Sequence, residues 1–146
     1  VGRAAGLILE EKMTIKRIDH IAIVVENLDK ALEVYRDALG MTVTAIKKMP
    51  EQDVTMAFLP SGDSEIELLE PLSAESGIGK YLAKRGEGLH HVCLEVDDIA
   101  AALADLKAKG AQLIDEQPKR GAYGKIAFIH PKGAHGVLVE LMERDS

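Results

Sequence analysis

Two histidines and two glutamates recur at matching points of this sequence, and their types suit a divalent cation. In the first half, Ile18-Asp19-His20-Ile21-Ala22-Ile23-Val24-Val25 leads into Asn27-Leu28-Asp29. In the second, Leu89-His90-His91-Val92-Cys93-Leu94-Glu95-Val96 leads into Asp98-Ile99-Ala100, so His20 and His91 correspond. Each half also closes on an apolar run holding one acid, Ile66-Glu67-Leu68-Leu69 and Val137-Leu138-Val139-Glu140-Leu141, so Glu67 and Glu140 correspond too. Two neutral imidazoles and two carboxylates balance a 2+ ion and leave positions for water or substrate.

Taken singly, these residues have bland readings. A histidine early in a strand is more often structural than ligating, and Glu67 alone would pass for a solvent-facing residue on an edge strand. Glu140 is harder to dismiss, because Leu138, Val139, Leu141 and Met142 surround it and a carboxylate is costly to desolvate without a partner. The duplication turns four weak signals into one set. Other candidates stay ordinary: His90 is expected on the opposite face from His91, His130 and His135 flank a turn, and Cys93 is a small core residue. Gly121-Ala122-Tyr123-Gly124 reads as a turn.

The elements that must position the set follow from periodicity. Leu28, Ala31, Leu32, Tyr35 and Leu39 recur at helical spacing before Gly40, and Ile99, Ala102, Leu103 and Leu106 do so before Gly110. Three strands follow each helix, at about 42–48, 54–60 and 64–70 and then 111–114, 125–130 and 136–142. Ser73 is the expected cap of a connector helix over about 73–86. Two tandem βαβββ modules, about 16–72 and 87–143, therefore form one α+β domain over 16–143. Strand alternation puts Ile21, Ile23 and Val25 against a helix and turns His20, Ala22 and Val24 the other way; Val92, Leu94 and Val96 stand likewise opposite His91, Cys93 and Glu95. A mixed sheet with its ligands opposite its helices should curve into a metal-binding cleft.

The chain has 47% hydrophobic residues and a formal charge of -6, without the clustered Lys/Arg that tracks a phosphate backbone, so no nucleic-acid partner is expected. A lone cysteine forms no intrachain disulfide, and no apolar run is long enough to cross a bilayer as a helix, so no membrane partner is expected and a cytoplasmic location is. Residues 1–12 read as an extension before a possible start at Met13.

The motifs Ile18-Asp19-His20-Ile21-Ala22, Pro50-Glu51-Gln52, Glu67-Leu68-Leu69-Glu70-Pro71-Leu72, Gly88-Leu89-His90-His91-Val92, Gly121-Ala122-Tyr123-Gly124, His130-Pro131-Lys132 and Gly136-Val137-Leu138-Val139-Glu140-Leu141 together resemble the vicinal oxygen chelate superfamily over about residues 16–143. Within it their order and spacing look most like those of the methylmalonyl-CoA epimerases. That resemblance implies one divalent ion per chain, with Co, Mn, Ni, Zn and Mg not distinguished, held by His20, His91 and Glu140 with Glu67 at the fourth position. It also implies a coenzyme A thioester substrate and a homodimer. Some relatives carry a glutamate six residues after the proline of the Pro-Glu-Gln segment; here Met56 stands there.

The implied reaction moves a proton at the carbon between a thioester and a carboxylate, for which Glu140 and Glu67 are the expected acid/base pair. Gln52 is a candidate for the substrate carboxylate, and Lys119, Arg120 and Lys132 for coenzyme A phosphates. The rival enzyme on this scaffold is a lactoylglutathione lyase acting on a glutathione hemithioacetal. A ring-cleaving dioxygenase needs two histidines and one carboxylate around iron, which the additional Glu67 argues against. A drug-sequestering binding protein needs a cleft and no metal ligands.

Overall fold

The computed structural model describes residues 13–146, so the expected extension over 1–12 lies outside the described residues. The first strand, β1 (Ile15–Val24), is followed by α1 (Leu28–Leu32), β2 (Ala45–Met49), β3 (Val54–Ser61) and β4 (Ser64–Pro71). After α2 (Gly77–Arg85) the pattern repeats as β5 (Gly88–Val96), α3 (Ile99–Ala108), β6 (Lys119–Arg120), β7 (Gly124–Ile129) and β8 (Val139–Arg144). All eight strands join one mixed sheet in the order β2-β3-β4-β1-β5-β8-β7-β6. The two first strands, β1 and β5, pair antiparallel at its centre, and each runs parallel to the last strand of its own module. The expected pair of βαβββ modules in a curved mixed sheet is thus the observed architecture.

The duplication extends to the helix starts. Asn27 accepts from the amide of Lys30 and Asp98 from that of Ala101, each as an N-cap. A second acid arrives from the closing strand of each module: Glu70 accepts from the amide of Leu28, and Glu143 from that of Ile99. These carboxylates satisfy amides that have no partner inside their helices and sit at the positive dipole end. Each helix is therefore tied to the strand that carries its module's buried glutamate three residues earlier.

Alternation sorts the two faces as the sequence leads one to expect. Leu28 and Leu32 pack with Val25, Ala57, Leu59 and Leu68, while Ile99, Ala102 and Leu103 pack with Val96, Ala127 and Leu141. On the opposite face Ala22, Val54, Met56, Phe58 and Leu69 form one cluster and Cys93, Ile126 and Met142 another, joined by Tyr123. α2 lies on this second face, with Ile78 against the first of these clusters. The helices do not all cover one side, and the expected open cleft has a helical wall.

Four local expectations are corrected. The first helix opens into a π-helical turn over Glu33–Ala38, whose extra residue rotates the following chain; Leu39 is left exposed and Met41 packs in its place. The run 111–114 makes a single bridge, Leu113 to Ile129, and the outer strand of the second module is instead Lys119–Arg120. The closing strand starts at Val139, since Gly136 has φ +95° and the amide of Val137 still bonds Ala134 in the preceding turn. Finally, Ser76 caps α2 in place of Ser73. The carbonyl of Ser73 lies so close to Gly79 that a Cβ there would stand 2.2 Å away, which seats the start of α2 on the backbone before it.

Candidate metal centre and its cavity

His20 on β1 and His91 on β5 face each other across the central antiparallel pair, both buried. Glu67 on β4 pairs beside Ala22, two residues after His20; Glu140 on β8 pairs beside Cys93, two residues after His91. Strand alternation then sends all four side chains to the same face, opposite α1 and α3.

Their donor atoms converge. The Nε2 atoms of His20 and His91 are 3.3 Å apart, and Glu140 Oε1 lies 3.0 Å from the first and 2.9 Å from the second. Ligand atoms at roughly 2.0–2.1 Å from one ion stand about 3.0–3.4 Å from each other, so this triangle has the dimensions of three positions around a single cation. Glu67 Oε2 is 3.2 Å from His20 Nδ1, and Glu67, His20 and His91 each present a donor atom within 4.8 Å of the others. Glu67 Oε1 is buried with no hydrogen-bond partner, and Glu140 Oε1 faces only the two imidazole nitrogens. An orphaned carboxylate oxygen and a second carboxylate beside two convergent imidazoles fit a bound cation, because burying such a group unpaired would cost several kcal/mol.

The electrostatics separate the two acids. Burial pushes the Glu67 carboxyl up to about 8, only partly opposed by His20. Burial would raise Glu140 as well, but His20 and His91 outweigh it and hold that carboxyl well below the usual range. Burial disfavours the charged form of His20, yet its hydrogen bonds to Asp19, Cys93 and Glu140 raise it far above an ordinary imidazole. The Cys93 thiol is pushed up to about 12 by burial, consistent with an inert core residue.

A cavity of about 680 Å³ opens above these side chains. Its walls near the four residues are apolar, with Met56 and Leu69 from one module and Ile126 and Met142 from the other. These pairs are equivalent by register, Met56 opposite Leu69 and Ile126 opposite Met142. The third acid of the lining is Glu51, an exposed residue in the turn Pro50–Gln52.

Residues 19–129 match the profile of the Glyoxalase/Bleomycin resistance protein/Dioxygenase superfamily. The chain belongs to this superfamily. Among its relatives, it is 45% identical over 127 residues to the mitochondrial methylmalonyl-CoA epimerase of Mus musculus, covering 86% of this chain and 71% of that one. An ethylmalonyl-CoA/methylmalonyl-CoA epimerase of Cereibacter sphaeroides is 44% identical over 130 residues, or 87% and 97% of the two chains. A solved methylmalonyl-CoA epimerase in complex with methylmalonyl-CoA and NH4+ superposes with a TM-score of 0.85 at 39% identity, covering 91% and 97%. A probable lactoylglutathione lyase of Vibrio cholerae is more distant, at 32% identity over 132 residues, 90% and 93% of the chains.

The remaining sequence candidates of this glyoxalase-superfamily chain are spread unevenly. Gln52 lines the cavity and donates to the carbonyl of Arg120 at 3.4 Å. Lys119 also lines it, with its ammonium 3.5 Å from Asp115 and 5.3 Å from the centre of the Phe128 ring. Arg120 reaches the lining while pairing with Asp145. Lys132 lies in the turn Pro131–Ala134 and is not brought to the cavity. Gly121 and Gly124 close a turn between β6 and β7, as expected, and a Cβ on Gly124 would meet the Glu143 carbonyl at 2.2 Å.

Two polar residues beside the histidines were not among the expected site residues. Asp19 is buried with its Oδ2 2.7 Å from His20 Nδ1, and His90 lines the cavity with its Nδ1 2.8 Å from His91 Nδ1. The expectation that His90 faces the helix side is corrected by a β-bulge: Ala22 pairs with His91 but Ile23 with Leu89, so His90 is an extra residue on β5. The available signal was the doubled polar pair at the same point of both repeats, Asp19-His20 and His90-His91, inside otherwise alternating strands.

Proposed function

We propose that this protein is a metal-dependent epimerase that interconverts (R)- and (S)-methylmalonyl-CoA by moving the α-proton. The observation that carries the reading is the meeting of Glu67 and Glu140, from equivalent strands, with two imidazoles on the floor of an apolar cavity. His20, His91, Glu140 and Glu67 would hold one divalent ion. Bound there, it supplies Lewis-acid stabilisation of the negative charge that develops on the substrate oxygens as the proton leaves.

Epimerisation requires a base on one face of the α-carbon and an acid on the other. Glu140 and Glu67 would act as that pair, one carboxylate taking the α-proton while the other, in its acid form, returns one; in the metal-free protein burial already favours the protonated form of Glu67. The reverse direction exchanges the roles. Met56, Leu69, Ile126 and Met142 line this cavity and would keep water from the reacting carbon. Gln52 would meet the substrate carboxylate, and Lys119 the coenzyme A phosphates, at the polar edge of the same cavity.

The test is solvent deuterium incorporation into methylmalonyl-CoA, run beside the lyase assay with methylglyoxal and glutathione. Exchange at the α-carbon without lyase turnover supports the epimerase. Turnover of the hemithioacetal without exchange would assign the lyase reaction, which the same donor set suits but the more distant relatives carry. A sequestering role does not account for two carboxylates buried against two imidazoles, one of them with an oxygen that has no partner.

A further inference from the structure

Each candidate metal-binding histidine is immediately preceded by a polar residue, and both of these residues occupy β-bulges between β1 and β5. Register passes from Ile18 opposite Leu94 to His20 opposite Cys93, which leaves Asp19 as the extra residue on β1. It passes from Ala22 opposite His91 to Ile23 opposite Leu89, which leaves His90 as the extra residue on β5. In a regular strand, neighbours point to opposite faces, and neither residue would reach the ring beside it. The bulges bring both there.

We propose that Asp19 and His90 are matched positioning residues that hold His20 and His91 by their Nδ1 atoms and so reserve both Nε2 atoms for the metal. The proposal rests on the metal site described above and adds the means by which its two imidazoles are oriented.

Asp19 is fixed before it acts. Its Oδ1 accepts from Arg144 Nε at 2.9 Å, with Arg17 3.6 Å away, while Oδ2 faces His20 Nδ1 at 2.7 Å. Glu67 also approaches that nitrogen, but at 3.2 Å, and its other oxygen has no partner. An ionised carboxylate accepts only, so the His20 proton facing Asp19 stays on Nδ1, and Nε2 is the nitrogen that gives up its proton when a metal binds.

On the other side, two imidazole nitrogens 2.8 Å apart share one proton. Ligation through His91 Nε2 places that proton on His91 Nδ1, which leaves His90 Nδ1 as the acceptor and moves the His90 proton to its own Nε2. His90 is held in turn by the Tyr81 ring, with centroids 4.6 Å apart, and Tyr81 is anchored by its hydroxyl donating to the Leu89 carbonyl at 2.9 Å. One ligand is therefore backed by an anion and the other by a neutral ring, and His20 is the stronger donor of the two.

The test begins with the unaltered protein, stripped of metal and reloaded with Zn2+, and reads each imidazole by long-range proton–nitrogen NMR. His20 and His91 should carry Nδ1 protons, and His90 the opposite tautomer with its proton on Nε2. A ligand histidine protonated on Nε2, or His90 protonated on Nδ1, would overturn the assignment. Chelator competition then gives Zn2+ affinity without any substrate. Asp19→Ala should weaken binding by about 10–100-fold and Asp19→Asn, which keeps an acceptor, by less; His90→Phe should weaken it and His90→Gln recover part. A purely structural role would lower the melting temperature of the metal-free protein without that ordering of affinities. Unchanged affinity in folded Asp19→Ala or His90→Phe would sink the proposal, whereas failure of the unaltered protein to bind Zn2+ would sink the metal site itself.

Discussion

Glu67 and Glu140 are equivalent by position and opposite in ionisation. Each lies beside the residue two places after its module's histidine, Ala22 for Glu67 and Cys93 for Glu140, and each is buried on the same face. Burial pushes Glu67 up to about 8, while the paired imidazoles hold Glu140 low. In the metal-free protein the duplicated scaffold thus shifts two residues of one type in opposite directions.

Replacing Glu67 with glutamine separates ligation from proton transfer. The amide oxygen still coordinates but carries no proton at neutral pH. Metal content should stay near that of the unaltered protein while α-proton exchange falls by about 10²–10⁴-fold, the usual worth of a general acid or base. Metal analysis and deuterium incorporation on the same sample check both halves, and full exchange with metal retained would remove Glu67 from the chemistry.

The raised carboxyl of Glu67 also makes a stability prediction for the metal-free protein. Between the unfolded value of 4.5 and the folded value of about 8, the folded chain keeps this proton and the unfolded chain does not. Stability contributed by Glu67 is therefore complete below 4.5 and lost as pH rises through about 8. Melting temperature in chelator should fall more steeply from pH 5 to 8 for the unaltered protein than for Glu67→Gln. Comparing the two removes the common contribution of His90, and parallel curves would contradict the assigned shift.

His91→Ala should abolish metal binding, since it removes one of the two imidazoles and opens the triangle with His20 Nε2 and Glu140 Oε1. Metal per chain, measured after purification without chelator, should drop from near one to near zero. An unchanged metal content would move the site elsewhere.

Much of this centre was legible because strand alternation and duplication reinforce each other: His20, Glu67, His91 and Glu140 needed only correct faces and correspondence. What stayed hidden depends on departures from regular geometry. A bulge is one residue that pairs with nothing, so alternation counted through Leu89-His90-His91 assigned His90 to the wrong face. The π-helical turn after Leu32 misplaced Leu39 for the same reason, a period changed by one residue. Outer strand β6 has only Lys119 and Arg120, too short for any pattern. Lys132 was read by charge alone, and charge does not say which side of a turn a lysine occupies.

Met56 carries the last prediction. The structure places it on the cavity wall, buried, paired with Leu69 on β4 two residues beyond Glu67. Its counterpart across the repeat is Ile126, so the cavity has an apolar wall on either side, and the three acids of the lining are Glu51, Glu67 and Glu140. Met56→Glu would add a carboxylate to one wall alone. The variant should keep its metal, because residue 56 is not among the four proposed donors, and should lose about 1–3 kcal/mol of stability from burying a polar group in an apolar cluster. Its effect on chemistry should be one-sided: the rates of α-proton exchange starting from the two methylmalonyl-CoA epimers should change relative to each other, since only the face served by residue 56 gains a carrier. Measuring both epimers separately decides the matter. Equal changes, or none in a folded and metal-loaded variant, would mean that residue 56 does not reach the α-carbon and that proton traffic on that side runs through Glu67 or Glu51.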